Sequence, residues 1–535
     1  MAEVYDYPLL VKQLLHATLQ SRAEQEILYP GVMRMSYRDW YGRLQRAANA
    51  FAGLGLGPGS VIAVMDWDSH RYFECFFAVP MLGATLHTVN VRLSPDQIVY
   101  TINHAEDDAI LVHRDFLPLL AQVWERIERP VKLILLEDAP GPLPEGLPFA
   151  GEYEALLAAA APEHRFADFD ERTRATLFYT TGTTGNPKGV SFSHRQIVLH
   201  TLGGAAVGVM RRDDVYMPIT PLFHVHAWGM PYIATMQGVR QIYPGRYEPA
   251  RLLRLIGEHR VTFSHCVPTI LAMLLAAPEA AGVDLAGWRV VIGGSALSAG
   301  LGQAALDRGI DVISGYGMSE TCPLLTLSDM TRVAAGGLAR RTATGIASPL
   351  VELRVVDQEM RDQPRGSKAT GEVVVRAPWL TEGYLKDEAG SAALWRGGYL
   401  HTGDVGYLDA DGTLHVTDRT KDVIKSGGEW ISSLDLENIA STVPGVAEVA
   451  AIGLPDAKWG ERPCLVIAPK PEAARASVEA GVRAAVAAAV EGGHLSKWAH
   501  PDRVEFVEAL PKTSVGKLDK KLMRARFAPA PTPPA

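Results

Sequence analysis

Short apolar runs and helical stripes alternate along the first half of the chain. Residues 9–19 and 37–54 space their apolar positions for helices, the second closed by Gly55 and Gly57-Pro58-Gly59. Residues 61–67 predict a buried strand, and residues 72–82 a helix packed behind it. Ser94-Pro95-Asp96-Gln97 opens another helix, with a Ser cap, Pro in the first turn and Gln at the capping-box position. Strands are predicted over 109–113, 131–136 and 173–178, and a further helix over about 194–207. This βαβα rhythm implies parallel sheet covered by helices. Residues 261–266, 288–292 and 311–314 continue it as buried strands.

The pattern changes after about Gly345. Residues 351–356, 371–376 and 414–417 alternate or cluster β-formers between polar turns, which predicts a small antiparallel subdomain. The charged run Asp418-Arg419-Thr420-Lys421-Asp422 suits a linker. Beyond it, a helix from Ser433, strands at 446–452 and 464–469, and an Ala-rich helix to Val490 form a compact α+β unit. The fold class is therefore α/β: a large N-terminal domain of parallel sheets with an antiparallel subdomain, residues 1–417, then a smaller mobile α+β domain, residues 418–535. At 535 residues, one core would not suffice for the chain.

Composition narrows the class. A net charge of −8 without a basic, aromatic-laced stripe argues against nucleic acid. Cys75, Cys266, Cys322 and Cys464 form no C-x-x-C pair, which excludes a zinc ribbon and suits a reducing compartment. No signal peptide is read at the N-terminus, and no apolar run approaches the ~18 residues of a membrane span. A cytoplasmic protein is expected.

Candidate chemistry clusters in the loops. Tyr179 to Val190 packs four Thr, three Gly, one Pro and one Lys into one stretch after an apolar strand. Its hydroxyls, exposed N–H groups and single cation suit an oligophosphate. It is not a Walker A loop, because Lys188 follows Pro187 and no Ser or Thr follows the Lys. Met217 to Trp228 combines two prolines with aromatics around His224, which reads as a pocket wall or a packed aromatic turn. His224 and His226 have the spacing of a metal pair, but no third ligand accompanies them. Gly293-Gly294-Ser295-Ala296 lets a ligand approach the backbone and is not a G-x-S-x-G nucleophile elbow. Gly315-Tyr316-Gly317-Met318-Ser319-Glu320 is expected to turn after its strand, offering a flat aromatic to a purine and a carboxylate to Mg²⁺. Asp404 follows Thr402-Gly403 as an isolated carboxylate after a tight turn, fit for a ribose diol or for a structural turn. Ser426-Gly427-Gly428 reads as a second mobile loop, and Lys517 directly follows Gly516.

These segments, in this order, resemble the adenylate-forming superfamily of acyl-CoA synthetases, luciferases and adenylation domains. The resemblance spans Tyr37 to Lys517. Its nearest branch is the medium- and long-chain fatty-acid–CoA ligases, with methylmercaptopropionate and aryl-acid ligases close by.

It implies ATP, Mg²⁺ and coenzyme A as reactants, and a monocarboxylic acid as substrate. Thr180, Thr181, Gly182, Thr183, Thr184, Gly185 and Lys188 would hold phosphates, with Thr180 and Glu320 also on the metal. Gly315, Tyr316, Gly317, Met318 and Ser319 would line the adenine side, Asp404 and Arg419 would take the ribose, and Lys425 and Trp430 would contact the nucleotide. His224, Val225, Trp228, Met230, Gly293, Gly294, Ser295 and Met318 would form the acyl pocket. Lys517 would act at the α-phosphate, Asp418 would be the hinge, and Gly427, Gly428 and Glu429 would face CoA. A homodimer is expected. A luciferase-like or acyl-AMP-donating enzyme that uses no CoA is the competing class. A non-catalytic nucleotide-binding protein is disfavoured by the presence of both Glu320 and Lys517.

Overall fold

A computed structural model of the chain describes residues 4–180, 186–329, 337–419, 421–426, 429–492, 495–513 and 517–528. Two large sheets build the first part. In one, seven strands run in the order Phe149–Glu152, Lys132–Leu136, Ala109–His113, Val61–Met65, Thr85–Thr88, Arg174–Tyr179 and Gly189–Ser193. All neighbours are parallel except the last pair, where Gly189–Ser193 returns antiparallel along Arg174–Tyr179. The second sheet has nine strands. At its parallel centre Phe263–Cys266 and Arg289–Ile292 are buried throughout, and Asp311–Gly317 is buried over Val312 to Ser314.

Helix His70–Met81 lies among both sheets, and all twelve of its residues are buried. Burying Arg71 and Glu74 there requires partners. Arg43 reaches Glu74 at 2.5 Å, Tyr153 donates to Glu74 at 2.8 Å, and Arg71 pairs with Asp138. Local start signals hold where they were legible. Ser94 and Gln97 form a reciprocal capping box, as do Ser36 with Asp39 and Ser193 with Gln196.

The antiparallel subdomain comprises Glu352–Val356, Gly371–Arg376, Leu400–Leu408 and Leu414–Arg419. The C-terminal unit has a five-stranded sheet centred on the long hairpin of Val446–Asp456 and Gly460–Pro469. Helices Ser433–Ser441 and Arg475–Glu491 pack against each other in this unit's apolar core. It touches the large part where Asn438 accepts from the Ala299 N–H at 3.0 Å, at the start of helix Ala299–Leu306.

Three expectations change. The strand expected to end at Ser314 runs through Gly317, because Leu324–Leu327 folds back beside it and pairs with Gly315, Tyr316 and Gly317. Asp404 sits inside the strand Leu400–Leu408, not after a tight turn. Asp418 and Arg419, read as linker, complete the strand Leu414–Arg419, and Asp418 is buried.

Candidate active site

A narrow cavity opens where the nine-stranded sheet ends. It is lined by His224, Val225, Trp228, Met230, Val291, Gly293, Gly294, Gly315 to Ser319, Pro323, Leu324 and Lys517. Two glycines are sterically required here. A Cβ on Gly317 would lie 1.7 Å from the Pro323 carbonyl oxygen. Gly294 has φ +79°, and a Cβ there would press to 3.2 Å from Lys517 Cε.

The wall from Val225 to Trp228 is a left-handed turn of four consecutive non-glycine residues, with φ of 47–58°. Each costs roughly 1–2 kcal/mol, so packing must hold the turn. Asp68 accepts from the Leu222 N–H at 3.0 Å, and Thr88 donates to the Phe223 carbonyl at 3.0 Å. His226 is buried among Phe76, Phe178, Phe192 and Tyr232, with neither ring nitrogen hydrogen-bonded. Burial in that apolar box, with His200 beside it, holds its imidazole neutral, at about 3. Trp228 lies against the Gly293 backbone, close to the His265 ring. His224 faces the cavity, and burial, with the Lys517 ammonium nearby, lowers its pKa to about 3. It is a neutral hydrogen-bonding group at working pH.

Lys517 enters from the C-terminal unit. Its N–H donates to Thr513 Oγ1 at 3.2 Å and its carbonyl accepts from the Thr513 N–H at 2.7 Å, which fixes the root of the side chain. Burial, then the Arg419 guanidinium, lower its pKa to about 8, while Asp404 and Glu320 oppose that fall. All four charges therefore share one neighbourhood. Tyr316 donates to Asp404 Oδ2 at 2.6 Å, and Arg419 Nε donates to Asp404 Oδ1 at 3.1 Å. Tyr384 donates to Glu320 Oε1 at 2.7 Å.

Other expected residues lie as follows. The Thr180 N–H donates to the Lys188 carbonyl at 2.9 Å, closing the base of the Thr/Gly loop. Lys188 reaches Asp387 at 3.3 Å and sits 4.2 Å from the centre of the Tyr384 ring. Ser295 is exposed and the lining stops at Gly294. Lys425 is exposed, in the strand Ile424–Ser426, and is not among the lining residues. Glu429 and Trp430 belong to the strand Glu429–Ile431 that pairs with it. Asp418 accepts from the Ser433 N–H at 2.6 Å, tying the end of the subdomain to the first helix of the C-terminal unit. Thr181, Gly182, Thr183, Thr184, Gly185, Gly427 and Gly428 lie outside the described residues.

Sequence reasoning passed over Tyr384, Thr381 and Asp387. A Gly-Tyr pair after a polar turn carries no chemical signature of its own. Among the described residues, no cluster of three or more His, Cys, Asp or Glu could hold a metal. The buried Glu320 carboxylate instead fits an ion that arrives on a nucleotide's phosphates, since Mg²⁺ is commonly held by one or two carboxylates plus phosphate and water. No described helix is long and apolar enough to cross a membrane.

The fold and this cavity have known counterparts. Residues 15–385 match the family described as AMP-binding enzyme, and residues 435–517 match the AMP-binding enzyme C-terminal domain. The chain belongs to the AMP-binding enzyme family. It is 38% identical over 517 residues to the long-chain-fatty-acid–CoA ligase of Thermus thermophilus, covering 93% of this chain and 91% of that enzyme. It is also 38% identical over 541 residues to the 3-methylmercaptopropionyl-CoA ligase of Ruegeria pomeroyi, covering 97% of each. In fold it matches the crystal structure of the anthranilate CoA ligase AuaEII in complex with anthranoyl-AMP, with TM-score 0.87, 24% identity and 98% of each chain covered.

Proposed function

We propose that this protein is an ATP-dependent acid–CoA ligase acting on a monocarboxylic acid with an aliphatic or alkyl-aryl tail. The observation that carries this reading is Lys517 laid over Gly294 in an apolar cavity, within electrostatic reach of Asp404, Arg419 and Glu320. In the first half-reaction a carboxylate oxygen attacks the α-phosphorus of ATP and the bond to pyrophosphate breaks, leaving acyl-AMP. In the second, the CoA thiol gives up its proton and attacks the acyl carbonyl, and the bond to AMP breaks.

Each residue's role follows from its chemistry. Lys517 supplies positive charge where the entering carboxylate and the α-phosphate crowd together. Tyr316 stacks on adenine, and Asp404 with Arg419 takes the ribose hydroxyls. Thr180 and Glu320 hold Mg²⁺, which neutralises phosphate charge when bound. Thr180 to Lys188 holds the β- and γ-phosphates. His224, being neutral, directs a hydrogen bond without competing with Lys517 for charge. Val225, Trp228, Met230 and Met318 supply apolar contact to the acyl tail.

For the second half-reaction, rotation about Asp418 withdraws Lys517 and presents Gly427, Gly428 and Glu429 to the pantetheine arm. Because Asp418 and Arg419 stay paired with Val405 and Asp404 in the subdomain sheet, the residues beyond Arg419 are the moving body. A cytoplasmic homodimer completes the proposal; sedimentation of the full chain tests the dimer.

The relatives support both a fatty acid and a methylthioalkanoate as substrate class. The test is ATP- and acid-dependent AMP release, with and without CoA. CoA-stimulated AMP release with thioester formed in equal amount is the expected result. Release indifferent to CoA would place the enzyme among acyl-AMP users with another acceptor.

A further inference from the structure

We propose that Tyr384 is a positioning residue that aims one oxygen of the Glu320 carboxylate with its hydroxyl and holds the Lys188 ammonium on its ring face, so that Lys188 makes no ion pair with Glu320 and the carboxylate stays in place for a metal–nucleotide. The proposal rests on the acid–CoA ligase reading and deepens it.

The geometry begins in the backbone. The segment from Thr381 to Asp387 is stitched to two separate parts of the site. The Thr381 N–H donates to the Glu320 carbonyl at 2.9 Å, and Thr381 Oγ1 donates to the Ser191 carbonyl at 3.1 Å. The Leu385 N–H donates to the Gly189 carbonyl at 2.8 Å, and Tyr384 forms an antiparallel bridge with Val190. The strap is itself pinned from outside. Gln196 donates to the Leu380 carbonyl at 2.6 Å, and Trp395 donates to the Thr381 carbonyl at 3.0 Å. Tyr384 is thus fixed relative to both the strand that follows the Thr/Gly loop and the turn that carries Glu320.

Its side chain then does two jobs. The hydroxyl donates to Glu320 Oε1 at 2.7 Å, using one of the carboxylate's two oxygens. Burial, then the Glu320 charge itself, push the phenol pKa far above its ordinary value, so it serves as a donor and does not ionise. The ring lies 4.2 Å from Lys188 Nζ, which is a cation–π distance, and Asp387 takes the same ammonium at 3.3 Å. A lysine paired directly with Glu320 would neutralise the charge that a divalent ion needs. Holding that lysine with a π-face and a different carboxylate keeps it out of an ion pair with Glu320.

The test uses the full chain with Tyr384→Phe, which deletes only the hydroxyl, and Tyr384→Leu, which also removes the ring. Thermal shift is measured with metal-free ATP and with MgATP, beside the half-saturating magnesium concentration for pyrophosphate exchange. For Tyr384→Phe we expect an unchanged ligand-free Tm and an unchanged shift with metal-free ATP. The extra shift from magnesium should shrink, and half-saturating magnesium should rise about tenfold, the loss carried by a hydrogen bond to a charged acceptor. Tyr384→Leu should also weaken metal-free ATP, by releasing Lys188. Wild-type magnesium dependence in Tyr384→Phe would overturn the proposal. So would a fall in ligand-free Tm with magnesium dependence unchanged, which marks a merely structural tyrosine. If the wild-type chain itself shows no MgATP-dependent shift or exchange, it is the ligase reading that fails, and this inference falls with it.

Discussion

Two tyrosine–carboxylate pairs stand in the site, and they are compensated differently. Asp404 accepts from Tyr316 on one oxygen and from Arg419 on the other, so its charge is already balanced by a cation. Glu320 accepts from Tyr384 on one oxygen and lies within electrostatic reach of Lys517 and Arg419 but in no ion pair with a described Lys or Arg, while Lys188 rests against the tyrosine ring. A carboxylate balanced by an arginine is prepared for neutral hydroxyls, as a ribose presents. A carboxylate left without a direct cation is prepared for a metal. On the proposed reading a tyrosine–carboxylate pair would serve a different ligand in each case, and a direct ion pair to one basic side chain would make the difference.

The largest expected effect comes from Lys517, whose charge both carboxylates stabilise. Lys517→Ala should cut acid-dependent pyrophosphate exchange about a hundred- to a thousandfold, the loss typical of a donor aimed at developing charge. The same variant should convert supplied acyl-AMP and CoA to thioester at near the wild-type rate. Equal loss of both steps would remove the two-state account. The pH dependence carries the same signature. The ammonium is the active form and its pKa is lowered to about 8, so it is charged below that value and lost above it. Exchange should therefore fall as pH rises through about 8, a limb that bound phosphates would move upward and that thioester formation should lack.

The comparison itself is broken or sharpened by two amide variants. Glu320→Gln should keep nucleotide affinity in the absence of metal and lose magnesium-dependent turnover, since a neutral amide cannot offset a divalent charge. Asp404→Asn should raise the KM for ATP roughly ten- to hundredfold, as loss of a charged hydrogen-bond acceptor does, with magnesium dependence unchanged. If the two variants behave alike in a magnesium titration, the distinction between the carboxylates fails.

The smallest steps concern the acyl wall, where no Arg or Lys other than Lys517 is among the described lining residues. Each added methylene should raise kcat/KM about fourfold, from ~0.8 kcal/mol of burial, until the pocket floor is reached. A series from acetate to palmitate checks this, and succinate outrunning hexanoate would contradict an apolar wall.

Much of the architecture was legible because its signals are local. Capping residues, βαβ spacing and the small-residue stretches all act within a few positions of themselves, and Ser94 with Gln97 does so. Gly293, Gly294, Gly317 and Lys517 could be singled out because small residues and a lysine after glycine are unusual there. What those signals leave open is cross-chain register. Asp404 and Arg419 become directly opposed partners only because their strands pair antiparallel in one register. The extension of a strand to Gly317 depends on Leu324–Leu327 returning beside it. The left-handed turn at Val225 to Trp228 is set against local preference by Asp68, Thr88 and the surrounding packing. Tyr384 acquires its role from a strap bonded to two distant segments, so no window of sequence around it carries the information. Local hydrogen bonding and spacing set the elements; long-range pairing decides which charges meet.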